Sequence, residues 1–243
     1  ILSPHQAKRV RSIGGTDWMN IEKDKIDTTR PYLCRLASGR TISLFFYHGP
    51  IANDVAGGHI LQNGEVLAKK MNWILTESNA EHRLAHIATD GETFGHHHRY
   101  TDMALAYCLH YIEANKLAKL TVYGDYLEKF PPTDEIEIYE NSSWSCSHGV
   151  ERWKANCGCN YGRFPSGFQQ WRAPLREAMN WLRDRAAEIY ENRMKQFVAE
   201  PWDLRDKYIA VINDRTASNV EKFITESAGN ELDFGEKVIF LKL

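Results

Sequence analysis

The spacing of hydrophobic residues changes several times along the chain. Residues 40–50, RTISLFFYHGP, are rich in aromatic and β-branched side chains and stop at Gly-Pro, which predicts a strand with a defined end. From Ile60 to Ile74 the side chains Leu61, Val66, Leu67, Met71 and Ile74 fall loosely on one helical face. LAHIAT, residues 84–89, reads as a short buried strand. Tyr100, Met103, Ala104, Tyr107, Cys108, Tyr111 and Ile112 then recur at helical spacing. Leu120-Thr121-Val122, the helical turn GDYLEKF, the break Pro131-Pro132 and the alternating run EIEIYE (135–140) follow in order. Strands that alternate with helices suggest parallel strands joined by helical crossovers, an α/β class.

After EIEIYE the pattern lapses. Residues 141–167 form a connection well beyond the usual length, and its tryptophans argue against disorder. From Phe168 the chain reads as helical, with Trp171, Leu175, Trp181, Leu182 and Ile189 as candidate core positions. The expected organisation is therefore an α/β region over 1–165 and a mainly helical region over 166–243. Internal repeats and low-complexity tracts are absent.

Composition narrows the class without fixing it. Hydrophobic content of 43% and charged content of 26% are ordinary for a globular chain of 243 residues. A net charge of -2 gives no reason to expect nucleic acid or an anionic membrane as partner. No apolar run approaches the roughly 20 residues that span a bilayer. Five cysteines, an odd number, fit a reducing compartment, so a cytoplasmic location is expected. Cys34 and Cys108 read as small core residues. The chain opens on ILSPHQ and closes on VIFLKL, and both read as the inside of an element, as in a piece of a larger polypeptide.

The densest chemistry lies in ATDGETFGHHHRY, residues 88–100. It follows a predicted strand and precedes a predicted helix, the place where α/β folds gather active-site groups. Asp90 there can serve as a general acid if burial or Glu92 raises its pKa. Equally, Asp90 or Thr93 can cap the next helix while Gly91 and Gly95 shape the turn. His96, His97 and His98 point in three directions and lack the i, i+4 spacing of helical metal ligands.

A second constellation lies in NSSWSCSHGVERWKANCGCN, residues 141–160. Cys146, His148, Cys157 and Cys159 offer four zinc ligands within fourteen residues, spaced more tightly than the common Cys-x₂₋₄-Cys. A structural zinc is one reading and small buried cysteines the other. Trp144 and Trp153 can stack on sugar rings or pin the loop, and His148, Glu151 and Arg152 supply polar groups suited to hydroxyls. Trp171 is a further candidate for a cleft, whereas Trp181 reads as core.

Asp90, Glu92, Phe94, Gly95 and His96, in the pattern Asp-x-Glu-x-Phe-Gly-His, resemble the fourth conserved region of glycoside hydrolase family 57. The similarity extends through RPYLCRLASGRTISLFFYHGP, NSSWSCSHGVERWKANCGC and WRAPLREAMNWL, and is closest to an uncharacterised branch of that family. It implies part of a (β/α)7 barrel followed by a helical region, and a retaining glycosidase or transglycosylase acting on α-glucans. It also implies Asp90 as acid/base, with Glu92 and His96 orienting it or contacting sugar, and no required cofactor. In that family the nucleophilic Glu lies N-terminal to this region, shortly before a strand that ILSPHQ resembles, and an earlier His-containing motif precedes it. The resemblance thus implies a chain that begins just after its nucleophile, with His5 near the cleft and the N-terminal half-barrel as its partner. Without that half, strand edges and an apolar face would be exposed. Glu77, Glu81 and Glu92 are alternative nucleophiles that nothing in the sequence supports. Two further readings stay open: a metal-assisted carbohydrate hydrolase or deacetylase built on Asp90 and the histidines, and a non-catalytic carbohydrate-binding fragment.

Overall fold

The computed structural model describes residues 1–22, 24–76, 81–159, 168–229 and 231–242. Glu77 and the expected boundary at 165/166 lie outside the described residues. The chain divides into two compact units, Ile1–Val150 and Glu151–Leu243.

The first unit is mixed α/β. Its sheet contains β1 (Ala7–Ser12), β2 (Met19–Asn20), β3 (Tyr32–Arg35), β4 (Thr41–Leu44) and β5 (Asp134–Ile138), in the order β2-β1-β5-β3-β4. The alternation of EIEIYE is expressed in β5. Ile136 is buried with Tyr32, Leu44 and Phe46, while Glu135 and Glu137 face arginines across the sheet. Arg9 stands opposite Glu137 and Arg11 opposite Glu135 on β1, and Arg35 of β3 reaches Glu135 from the other side. These pairs explain a buried carboxylate in a strand: hydrogen bonds from Arg35 and Arg11 hold Glu135 below the usual carboxylate pKa.

The parallel order expected from the sequence is corrected by the sheet itself. Among the described strands β3 and β5 pair in parallel, whereas β1–β2, β1–β5 and β3–β4 are antiparallel. The cause lies in two tight turns. Gly14 (φ 81°) lies in the turn after β1, and Gly39 (φ 81°) lies in the turn between β3 and β4. Both occupy the left-handed region that glycine adopts without strain, and short connections join antiparallel strands. LAHIAT is likewise not a ladder strand. It is extended and held by single bonds on two sides, Leu84 N–H to the Thr29 carbonyl (2.8 Å) and His48 N–H to the His86 carbonyl (3.1 Å). A parallel bridge between Leu2 and Phe46 brings the first residues beside the end of β4.

Helices cover this unit. α1 (Gly49–Ala56), α2 (Gly64–Thr76) and α3 (Thr101–Ala114) share a core of Ile51, Val55, Leu67, Ile74, Cys108 and Ile112. α4 (Tyr123–Lys129) forms at the predicted turn, and Cys34 and Cys108 are buried as expected. The face of α3 differs from expectation, because Tyr100, Met103 and Tyr107 are exposed. Tyr100 has φ 64° and stands just outside the helix. α2 and α3 approach closely at Gly64, where a Cβ would lie 2.5 Å from the Ala104 carbonyl oxygen. Gly64→Ala is expected to destabilise the protein by about 1–3 kcal/mol through overpacking, readable as a lower urea midpoint.

The second unit is helical where described: α5 (Arg172–Met194), α6 (Pro201–Lys207), α7 (Ile209–Asn213), α8 (Ala217–Ser227) and α9 (Phe234–Lys242). Its core gathers at the end of α5, around Met194, Leu204, Val211, Phe223, Ile224 and Phe240. Among the described residues, the core expected along α5 is not found. Trp181 is 63% exposed and Leu175, Leu182 and Ile189 are also exposed, because the packed helices of this unit meet α5 only near its C-terminus. No described helix is long and apolar enough to cross a membrane.

Candidate active site

A cavity of about 560 Å³ opens in the first unit, at the ends of the segments that run through Leu2 and Phe46. His5, Asp27, Tyr47, His48, Asn53 and Trp144 are among its lining residues. Short hydrogen bonds build its rim. Ser3-Pro4-His5-Gln6 forms a capped 3-10 turn in which Ser3 N–H donates to Gln6 Oε1 (3.0 Å). Both ring nitrogens of His5 are engaged, with Ser3 Oγ and with the Ser143 carbonyl, each at 2.9 Å. Gln6 Nε2 donates to Ser142 Oγ (3.1 Å). His5 therefore holds the loop that presents Trp144, which is 61% exposed and offers its ring to the cavity.

Some of the lining was not singled out in the sequence. Tyr47 and His48 stand at the end of the aromatic run before Gly-Pro, and a strand-end rule would have found them. Asp24 and Asp27 lie in an irregular stretch with no periodic signal. Asp27 is already committed: Oδ1 accepts from Thr29 N–H (2.9 Å) and Oγ1 (2.7 Å), and Oδ2 pairs with Arg30.

The motif around Asp90 is folded by threonines. Thr89 and Thr93 share a hydroxyl hydrogen bond (2.9 Å), and Thr101 Oγ1 donates to the His98 carbonyl (2.6 Å) and accepts from Gly95 N–H (3.2 Å). Gly95, at φ 94°, lets the chain turn there. Asp90 precedes a 3-10 turn, Gly91–Thr93, and its carbonyl, not its carboxylate, accepts from Thr93 N–H (3.0 Å). Its side chain is exposed, and Asp90 is not among the residues lining the cavity. The link between the two is the 84–89 segment. His86 bonds the Thr28 carbonyl (3.1 Å) and receives His48 N–H, and both partners line the cavity.

The neighbours expected around Asp90 have other partners. Glu92 lies 3.7 Å from His97 Nε2, and the His96 ring lies beside that of His97. His98 Nε2 bonds the Ala56 carbonyl (2.9 Å). Among the described residues, the histidines at 96–98 and Asp90 do not form a metal-ligand group.

Trp153 and Trp171 are brought together in the second unit. With Arg172, Leu175, Arg176 and Met179 they line a slot of about 310 Å³, and the Arg172 guanidinium lies 5.7 Å from the centre of the Trp171 ring. Of the four candidate zinc ligands, Cys146 and His148 lie in the first unit, with Cys146 Sγ 3.6 Å from His148 Nδ1, and Cys157 and Cys159 lie in the second.

Residues 13–139, just over half of the chain, match the family model described as glycosyl hydrolase family 57. By class the protein is therefore a glycoside hydrolase, a carbohydrate-active α/β protein. The chain belongs to glycosyl hydrolase family 57. Residues 168–243 match a domain of unknown function, DUF3536. Comparison with curated proteins gives no match.

Proposed function

We propose that this chain forms the C-terminal part of a (β/α)7-type barrel that cleaves or transfers α-glucan-type carbohydrate with retention, and that Asp90 is its acid/base. The Asp90–His96 motif lies inside the family match and directly after the extended segment whose His86 bonds Thr28 and His48 of the cavity lining, and this position carries the proposal. Asp90 protonates the glycosidic oxygen, then takes a proton from water or an acceptor sugar. In the family that the Asp90 motif resembles, the nucleophilic carboxylate lies N-terminal to this region. Exposed rings edge both the cavity and the second-unit slot, which suits sugar stacking by Trp144 in the first and by Trp153 and Trp171 in the second. His5 acts by holding the Trp144 loop, and Glu92, His96 and His148 offer polar groups to hydroxyls.

The test is anomer-resolved product analysis by NMR on a malto-oligosaccharide. Retention at the new reducing end is expected, and inversion would overturn the proposal. Trp144→Ala is expected to weaken oligosaccharide binding about tenfold, ~1.4 kcal/mol, by calorimetry. An unchanged Kd would remove Trp144 from the subsite.

A further inference from the structure

We propose that the slot lined by Trp153 and Trp171 is a subsite for an anionic carbohydrate, with a sugar ring on the indoles and a phosphate or carboxylate substituent on the arginines. Such a ligand presupposes the sugar-stacking role proposed above for the two rings and adds a charge to it. The slot belongs wholly to the unit Glu151–Leu243. Its volume of about 310 Å³ is at the small end of ligand pockets, about 300–1,000 Å³.

Helical spacing builds one wall. Trp171, Leu175 and Met179 recur every four residues from the start of α5, and Arg172 and Arg176 form the adjoining row. Apolar and cationic groups thus share one face. Arg152 and Trp153 form the other wall, on a turn closed by Lys154 N–H and Ala155 N–H to the Glu151 carbonyl (3.2 and 2.8 Å). The buried Gln169 ties the two walls together. Its N–H donates to Asn156 Oδ1 (3.1 Å), its side chain donates to the Cys159 carbonyl (2.5 Å), and its carbonyl accepts from Arg172 N–H (3.1 Å). Both indoles nevertheless stay half-exposed, with Leu175 and Met179 exposed beside them.

Charge distinguishes this slot from a neutral sugar site. Arg152, Arg172 and Arg176 bring three guanidiniums together in a chain of net charge -2, and no carboxylate is among the described lining residues. Glu151 pairs with Lys154 (3.0 Å), and Glu177, one position from Arg176, is rotated away from that face. Arg172 is already oriented: Nη1 donates to Cys157 Sγ (3.4 Å), and the guanidinium lies 5.7 Å from the centre of the Trp171 ring. A planar guanidinium fork matches the oxygens of a phosphate or carboxylate.

The rings argue for more than a bare oxyanion. Two indoles, Leu175 and Met179 form a surface that a free anion would leave uncovered, whereas the C–H patches of a sugar ring fit it. The glycoside hydrolase match favours a sugar over a nucleobase as that ring.

Calorimetry on the full chain tests this with maltotriose, maltotriose 6-phosphate, the corresponding 6-uronate, inorganic phosphate and adenosine monophosphate. All are measured in the Trp144→Ala variant, so that the first-unit cavity contributes little. At least one anionic trisaccharide is expected to bind about tenfold more tightly than maltotriose, and the tighter of the two names the anion. That advantage should shrink about fivefold in Arg176→Gln, an exposed helical position, and in about 0.5 M salt. Trp171→Ala should weaken every trisaccharide. Equal affinity for neutral and anionic trisaccharides, both lowered by Trp171→Ala, would overturn the charge and leave the stacking standing. Affinities that ignore Trp171→Ala would overturn both. Inorganic phosphate bound as tightly as the phosphorylated sugar, or adenosine monophosphate bound more tightly, would overturn the proposal equally.

Discussion

Asp90→Asn is expected to lower kcat/KM on an α-glucan oligosaccharide by about 10²–10⁴-fold while leaving ligand binding within a few-fold. Asparagine keeps the shape of the side chain but has no acidic proton for the leaving oxygen. The local fold should be indifferent to the change, because Thr93 N–H is held by the Asp90 backbone carbonyl and the 88–101 loop by threonine hydroxyls. An unchanged thermal midpoint would therefore accompany the lost activity. A substrate whose leaving group needs no protonation should recover much of the rate of the first step, since the acid is then dispensable. Glu92→Gln, altering an exposed carboxylate beside His97, is expected to cost a few-fold at most. Equal activity in Asp90→Asn and the unmodified protein would remove Asp90 from the mechanism.

The parts of this protein that were legible in the sequence are those written in local periodicity. EIEIYE became β5 because its isoleucines alternate, and GDYLEKF became α4. β1, AKRVRS, has no such signature: its arginines satisfy glutamates on β5, a pairing visible only once the strands meet. Gly14 and Gly39 mark turns that make neighbouring strands antiparallel, and the broad strand–helix order concealed them. The apolar residues of α5 read as core from spacing alone, yet helical spacing does not say what covers a face. At the site, Asp90 and the Cys/His set stood out by residue type. Thr89, Thr93 and Thr101, which shape the Asp90 loop, are common residues whose roles depend on contacts across several positions.

His86 should make stability fall on acidification. Burial pushes its pKa down to about 4, with His48 adding in the same direction. The geometry shows why the neutral ring is preferred. One tautomer satisfies both neighbours, with Nε2–H donating to the Thr28 carbonyl (3.1 Å) and Nδ1 accepting from Tyr123 Oη–H (3.0 Å). A proton at Nδ1 would meet the Tyr123 hydroxyl as a second donor, inside a shell that also includes the Phe45 ring. In the unfolded chain the same imidazole titrates near 6.5. Between pH 6.5 and 4 the unfolded state therefore binds a proton that the native state refuses. Stability contributed by neutral His86 is fully present above about pH 6.5 and falls by about 3 kcal/mol by pH 4. Urea unfolding from pH 4 to 8, compared between the unmodified protein and His86→Gln, isolates this slope from that of the carboxylates, whose own losses begin nearer their unfolded values around pH 4. A difference curve that is flat across the window would mean that His86 takes up its proton equally in the native and unfolded states. Because Thr28 and His48, both bonded to His86, line the cavity, oligosaccharide affinity is expected to decline on the acid side with the same proton.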